Sequence, residues 1–495
     1  MSGSHVEIER KFELPQGAAL PGLALDGAVR AAPRTLALHA TYHDTDDLAL
    51  VRARVTLRRR EGGDDAGWHL KLPAGDDRRR EVQRPLGRTA VPVALRRALM
   101  PLTLGATLRP VVEVRTSRTV HLLSDPDGNP LAEVAEDDVT VLRSDDPDSL
   151  AGWQEVEVEL LGGDLDLLDA LTGQLLSAGA RESDSPSKLR RALGDSVPPR
   201  HRRPEGLRTG SAGSALWDYL AIHAERLVDR EVEVRLGLHD GVHQMRISAR
   251  RLRSALAVGR PLLDEQTARH LEAELRWLGQ QLGDVRDIEV MRARLLAAIA
   301  AQPSLPRRTM TTAVRSTLRA EERAALARAR EALDSPRRGA LHSAIEALLD
   351  DPAFTKTASK KATKVLDRRI RKTCNRLGSR IQAAEEAEDA THDEALHDVR
   401  KAAKRVRYAA ELAEPTFGEP AHRLRKQAQA VQQALGEHQD SVVARAWYER
   451  LGRDSDSAGT AFGFGRLHAL EQAHAADDEA YGDAVEPLRT VTRLR

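Results

Sequence analysis

Short alternating segments dominate the amino-terminal part of the chain. Val6 to Phe12, Val55 to Arg60 and Trp68 to Leu72 alternate apolar with charged residues, and Val111 to Leu123, Leu131 to Leu142 and Gln154 to Leu160 continue the pattern. Period-two alternation predicts strands with two chemically distinct faces. Gly62-Gly63-Asp64, Asp125 to Asn129 and Asp145-Asp146-Pro147 punctuate them as turns, so an antiparallel sheet or barrel is expected, with a helix from Leu165 to Leu176 near its end. After a Pro-, Gly- and Arg-rich stretch at 194–214, the period changes to that of helices, with breaks near Pro303, Ser335-Pro336, Pro352 and Pro415. The remainder reads as long antiparallel helices.

The helical part repeats itself. His243-x-x-Arg246-x-x-x-Arg250-Arg251-x-Arg253 recurs as His397-x-x-Arg400-Lys401-x-x-Lys404-Arg405-x-Arg407, and Leu282-Gly283-Asp284-x-x-Asp287 recurs as Leu435-Gly436-Glu437-x-x-Asp440. Two matches at nearly one offset identify a duplicated helical bundle.

Composition narrows the class. Lys and Arg number 76 against 75 Asp and Glu in 495 residues, so local charge segregation carries the information. One cysteine, Cys374, excludes an internal disulfide framework and a CxxC metal site. With no apolar run of about 18 residues, a soluble cytoplasmic protein is expected.

The charges follow the two periods. At about 100° per residue, His243, Arg246, Arg250 and Arg253 fall in an arc of about 80°, opposite Met245, Ala249, Leu252 and Leu256. The second copy repeats this with His397, Arg400, Lys404 and Arg407 against Val399, Ala403, Val406 and Ala410, and Arg251 and Arg405 lie at the flanks. Acidic i,i+4 partners are missing, so each stripe repels itself unless an anion binds. Another basic run spans Lys356 to Lys372. Aromatics are only 3% of residues, which disfavours nucleic acid and fits a polyanion without bases. In the amino-terminal part Glu7, Glu9 and Lys11 share one strand face, as do Glu155, Glu157 and Glu159; if the strands are neighbours, the carboxylates converge and a hard cation relieves them. Arg58, Arg60, Lys71, Arg115 and Arg118 supply an opposite, basic wall suited to phosphate. No Ser–His or Cys–His pair is evident, so attack by metal-activated water is the simplest chemistry.

Glu7-Ile-Glu9-Arg-Lys11-Phe12, Tyr42-His-Asp44-Thr45, Leu57-Arg58-Arg-Arg60, Leu70-Lys71-Leu72, Glu155-Val-Glu157-Val-Glu159 and Ser187-Lys188, in this order, resemble the CYTH domain of the triphosphate tunnel metalloenzymes over 1–195. The repeated His-x-x-Arg helices resemble a CHAD domain, the conserved histidine α-helical domain, over 213–495, after a linker at 196–212. The resemblance implies an α+β multidomain chain: an eight-stranded antiparallel β-barrel tunnel, then an all-α domain of two pseudo-symmetric four-helix bundles, at about 213–335 and 352–495. It implies Mg²⁺ or Mn²⁺ held by Glu7, Glu9, Glu155, Glu157 and Glu159, and phosphate contacts from Lys11, Arg58, Arg60, Lys71, Arg115, Arg118 and Lys188. Arg79 and Glu81 match an Arg-x-Glu pair, and the family's late acidic residue falls among Glu136, Asp137 and Asp138, of which Glu136 is taken. Polyphosphate binding is implied for His243, Arg246, Arg250, Arg251, Arg253, His397, Arg400, Lys401, Lys404, Arg405 and Arg407. The expected activity is hydrolysis of inorganic triphosphate; the rivals are a non-catalytic protein docking on polyphosphate granules, and an enzyme acting on thiamine triphosphate or, as a cyclase, on ATP.

Overall fold

The computed structural model describes residues 4–15, 20, 22–23, 29–75, 77–143, 150–475 and 479–489. The expected turn at Asp145-Asp146-Pro147 lies outside them. Two compact units divide the chain after residue 200, inside the segment read as the linker.

In the first unit β1 (Ser4–Glu13), β2 (Val29–Arg30) and β3 (Arg34–Asp44) lead to helix α1 (Ala49–Arg52). Strands β4 (Thr56–Glu61), β5 (Gly67–Pro73) and β6 (Arg78–Pro85) precede α2 (Val93–Thr103). Then come β7 (Arg109–Ser124), β8 (Pro130–Arg143), β9 (Leu150–Leu160), α3 (Leu165–Ser177), β10 (Arg181–Glu182) and α4 (Lys188–Leu193). Eight strands run in the antiparallel order β1-β6-β5-β4-β3-β7-β8-β9, and β9 pairs back onto β1, closing a barrel. The two-residue strands β2 and β10 extend β7 and β1.

Alternation along each strand sorts the side chains. Outward-facing Phe12, Val134, Val156 and Val158 are fully buried beneath Leu168, Leu171 and Leu175 of α3, so a helix, not the barrel interior, covers the apolar face. The inward face is apolar only at one end. There Ala40, Tyr42, Val112, Val114, Val139 and Val141 pack against Leu189 and Leu193 of α4 and Val51 of α1. Asp44 sets α1 in place by accepting the backbone N–H groups of Thr45, Leu50 and Val51 at 2.7, 2.8 and 2.9 Å. Ser187 caps α4 by accepting the Arg190 N–H at 3.1 Å. The remaining inward face is charged.

The second unit is helical: α5 (Ala212–Leu236), α6 (Gly241–Gly259), α7 (Glu265–Gln281), α8 (Gly283–Ala300), α9 (Arg307–Leu333), α10 (Pro336–Asp350), α11 (Ala362–Glu385), α12 (Asp389–Phe417), α13 (Glu419–Arg453), α14 (Ala458–Ala475) and α15 (Glu479–Arg489). The apolar stripes of α6 and α12 are buried as their periodicity requires: Met245, Ala249, Leu252 and Leu256, and Val399, Ala403, Val406 and Ala410, all enter one core. A smaller core around Met291, Leu295, Met310, Tyr448 and Phe464 joins α8, α9, α13 and α14. Among the described residues no helix is long and apolar enough to cross a membrane.

Truncating Phe12, which is fully buried between β1 and α3, is expected to destabilise the protein by about 3–5 kcal/mol. Urea unfolding of Phe12→Ala followed by far-UV circular dichroism measures it.

Candidate functional site

Strand register decides which charges enter the barrel. Lys11 lies opposite Glu157, and Glu9 opposite Glu159, across β1–β9. Glu7 lies opposite Arg79 across β1–β6, and Lys71 opposite Glu81 across β5–β6. Arg118 lies opposite Asp137 across β7–β8, and Asp137 opposite Glu155 across β8–β9. Directly opposed residues share a face. Glu7, Glu9, Lys11, Lys71, Arg79, Glu81, Arg118, Glu157 and Glu159, with Arg58 and Arg60 of β4 and Lys188 of α4, surround a cavity of about 280 Å³, and Asp137 and Glu155 are buried behind Lys188 and Arg118.

Two of the residues expected there are elsewhere. Arg115 is exposed on the outer face of β7, opposite His39 and Thr140. Arg115 and Arg118 are three positions apart, so a regular strand cannot point both inward. Glu136 is also outside, contacting His121 Nε2 at 2.6 Å. Its neighbour Asp137 is the inward acid: Arg118 donates from Nε and Nη2 to its carboxylate at 2.8 and 2.6 Å.

The cavity is electrostatically uneven. At one side the Lys188 ammonium lies 2.8 Å from Asp137, 2.6 Å from Glu155 and 2.8 Å from Glu157. Burial disfavours that ammonium, but Glu157, Asp137 and Glu155 outweigh it and raise its pKa. Asp137, Glu155 and Glu157 form a buried carboxylate trio with the spacing of a metal site, neutralised here by an amine. Glu157 also takes Lys11 and Arg118, and those cations hold it far below the usual carboxylate range despite burial. Trp153 Nε1 donates to Glu155 at 2.6 Å.

Along β1 and β9, negative charge is in excess. Burial pushes the Glu7 carboxyl up to about 7; Lys71 opposes this, while a hydrogen bond and repulsion from Glu81 and the charge of Glu159 add to it. Burial likewise pushes Glu159 up to about 6, with Glu9, Glu157 and Glu133 adding to the shift against Lys71. Positive charge is in excess at β4, where burial, then Arg58 and Arg118, bring the Arg60 guanidinium down to about 9. The Nε–H groups of Arg58 and Arg60 have no hydrogen-bond partner among the described residues. One wall of the cavity therefore favours a cation and another an anion. Glu7, Glu9 and Glu159 are all-oxygen donors of the kind Mg²⁺ and Mn²⁺ take.

Residues given no role from the sequence complete the lining, Tyr42 beside Arg58 together with Arg54, Thr56 and Glu133, and His69 is buried behind Glu81. Burial lowers His69 to about 4, so it is neutral. The inward parity of Tyr42 and His69 was legible, but both read equally well as ordinary strand residues.

In the helical unit the two basic stripes converge. Burial, then Arg400, Arg250, Arg246 and Arg253, depress Lys404 to about 8, so residues of both copies surround one amine. Arg250 Nε donates to the Tyr408 hydroxyl at 2.6 Å, and Arg407 lies over the same ring at 5.6 Å. His243 and His397 sit at the edges of this group; burial lowers both, with Arg286 the next influence on His243 and Lys401 on His397. Three expected members are turned away. Arg251 pairs with Glu411 at 2.7 Å, Lys401 with Asp398 at 3.1 Å, and Arg405 is influenced chiefly, after burial, by Arg376 of α11.

With this geometry in hand, comparison with known proteins is informative. The CYTH domain model matches residues 5–193 and the CHAD domain model residues 218–449. Two sequences of Mycobacterium tuberculosis, uncharacterized proteins MT2285 and Rv2226, are each 34% identical over 490 residues, covering 94% of this chain and 93% of theirs. The chain is a CYTH–CHAD protein. Its CYTH part is a triphosphate tunnel domain, of a family that includes triphosphatases and adenylyl cyclases and uses divalent metal. Among solved structures, PptA from Streptomyces chartreusis is similar at 21% identity and TM-score 0.48, covering 56% of this chain and 99% of that one. The CHAD domain from the plant Ricinus communis gives 25% identity and TM-score 0.45, covering 57% and 93%.

Two outcomes test the geometry of the cavity in the CYTH barrel. Arg118→Ala removes the guanidinium that Asp137 and Glu157 share, leaving Lys188 and Lys11 to answer both buried carboxylates, and is expected to cost about 3 kcal/mol, whereas Arg115→Ala stays within about 0.5 kcal/mol; urea unfolding compares them. Because Glu7 and Glu159 hold protons up to about pH 7 and 6, a divalent cation must displace them. Mn²⁺ affinity is therefore expected to rise from pH 5 to pH 8, with proton uptake by buffer visible in titration calorimetry at pH 6.

Proposed function

We propose that the CYTH part is a Mg²⁺- or Mn²⁺-dependent inorganic triphosphatase and that the CHAD part binds polyphosphate. The observation that carries this is the opposition inside one cavity of carboxyls pushed up to about 7 and 6 and a guanidinium pushed down to about 9. Bound together, a cation and a polyanion would relieve both strains. The lining contains one phenol, Tyr42, and no indole, which offers little stacking to a nucleobase and favours triphosphate without a nucleoside.

Glu7, Glu9 and Glu159 would hold the metal, which when bound supplies charge neutralisation and Lewis acidity toward phosphoryl oxygens. Arg58 and Arg60 have donors free to grip a phosphate chain, and Arg118 is placed to stabilise charge developing on it. Lys11, Lys71 and Lys188 are locked between carboxylates, so their positions are preset and their charges are shared with an arriving phosphate at little reorganisation. Leu189 and Leu193 close the apolar end of the barrel, which keeps water from that end and strengthens the contacts beside it.

In the helical part, the approach of the α6 and α12 stripes supports one composite anion site built from the two repeats. We take those repeats as two four-helix bundles related by pseudo-symmetry. Arg246, Arg250, Arg253, Arg400, Lys404 and Arg407 are its cations. Lys404, where the first copy has Arg250, contributes charge without a bidentate fork, so the halves grip unequally.

Phosphate release from triphosphate, thiamine triphosphate and ATP, with cyclic AMP assayed alongside, distinguishes the family's chemistries. Triphosphate is expected to be the best substrate, and Arg58→Ala to lower kcat by about 10²-fold. Turnover unaffected by Glu7→Gln would remove the metal assignment. For the helices, Arg246→Ala with Arg400→Ala is expected to weaken retention on immobilised polyphosphate strongly, with Arg250, Arg253, Lys404 and Arg407 keeping a measurable remainder; undiminished retention places the ligand elsewhere.

A further inference from the structure

The second repeated motif, Leu-Gly-Asp/Glu-x-x-Asp, has no part in the reading above, yet both copies end at the basic stripe. Gly283 opens α8 and Gly436 lies inside the 35-residue helix α13. Glycine inside a helix is costly relative to alanine, so its recurrence calls for a reason. A Cβ placed on Gly283 would lie 2.9 Å from Arg246 Nη1, and one on Gly436 would lie 3.2 Å from Arg400 Nη2. Beyond the helix's own backbone, the atoms within 4 Å of the missing methyl at Gly283 all belong to Arg246, and the three nearest at Gly436 all belong to Arg400, the same arginine of the His-x-x-Arg motif in each copy. Each glycine thus faces a guanidinium.

Four residues on, the motif supplies a carboxylate. Asp287 lies 3.8 Å from Arg246. Its pKa is raised by burial, against the pull of Arg246, and Asp284 and Asp440 of the second copy raise it further. Carboxylates inside an anion site weaken it by simple Coulomb reasoning. They make sense where they hold an arginine in a chosen direction.

We propose that Gly283 and Gly436 are positioning residues: each is a bare patch of helix on which the guanidinium of Arg246 or Arg400 rests, aiming its donors at the phosphate chain bound between the two repeats. The assignment rests on the polyphosphate reading for its ligand but not for its geometry. Buried donors without partners fit it, since Arg246 Nη1 and Arg400 Nε find no acceptor among the described residues. The nearest atoms a methyl at either glycine would meet are the far end of a flexible side chain, so the fold absorbs it by moving the arginine.

The test uses the full chain with Gly283→Ala and Gly436→Ala combined, and Gly279→Ala as control, since a Cβ at Gly279 meets no atom within 4 Å. Without any ligand, phenylglyoxal modification read peptide by peptide is expected to change in rate at Arg246 and Arg400 but not at Arg253, with the melting temperature held. With long-chain inorganic polyphosphate, the double glycine variant is expected to bind about tenfold more weakly, the loss of one well-aimed charge-assisted contact. In an Arg246→Ala, Arg400→Ala background the same glycine changes are expected to add nothing. Unchanged modification rates, or an equal loss of binding in the arginine-free background, overturn the proposal. If modification shifts but wild type does not bind polyphosphate, the positioning stands and the polyphosphate reading falls.

Discussion

Everything in the barrel depends on burying many charges of both signs in one small space. An isolated charge there would lose several kcal/mol of hydration, so each must be answered. Lys188 between Asp137, Glu155 and Glu157, and Arg118 between Asp137 and Glu157, show how this is done: few cations, each shared by several carboxylates. What the pairing leaves over is an uneven balance: carboxylates predominate around Glu7, Glu9 and Glu159 although Lys71 pairs with Glu7, and Arg58 and Arg60 keep Nε–H donors without partners among the described residues although Arg60 pairs with Asp65. A metal and a phosphate chain would answer that imbalance.

The barrel permits this arrangement because, apart from the apolar plug at one end, its hydrophobic packing is on the outside. Phe12, Val156 and Val158 point away from the lumen and are covered by α3, so the interior is released from packing duty and can carry charge. The helical domain solves a related problem in the opposite manner. Its stripes carry a single sign, and the repulsion among Arg246, Arg250, Arg253, Arg400 and Lys404 is kept rather than cancelled, as the depressed Lys404 reports. Mixed charge suits a site that takes a cation together with an anion. A single sign suits a surface that takes a polyanion alone and releases its counterions.

Much of this was legible in the chain because both kinds of element have short, rigid periods. Alternation placed Glu7, Glu9 and Lys11 together and Glu155, Glu157 and Glu159 together, and a period of 3.6 separated the basic from the apolar stripes of α6 and α12. The errors came where a period was not applied or could not choose. Arg115 fails on parity once Arg118 is accepted. Glu136 and Asp137 lie on opposite faces of one strand, and both faces are rich in apolar residues, so alternation left the choice open. Arg251, Lys401 and Arg405 were adjacent to the stripe but found neighbours elsewhere: Glu411 of α12 for Arg251, Asp398 one turn back on α12 for Lys401, and Arg376 of α11 for Arg405.

By itself, then, the sequence determined the two architectures, the duplication and the inward charged faces, because those follow from residue spacing within single elements. Only the tertiary structure decided where the charges are unevenly balanced, that Asp137 and not Glu136 meets Arg118, and that two basic stripes 154 positions apart in the repeat converge on one amine. Such facts rest on strand register and helix packing, where one residue of slip or one helical turn exchanges every partner, and no spacing within a single element records them.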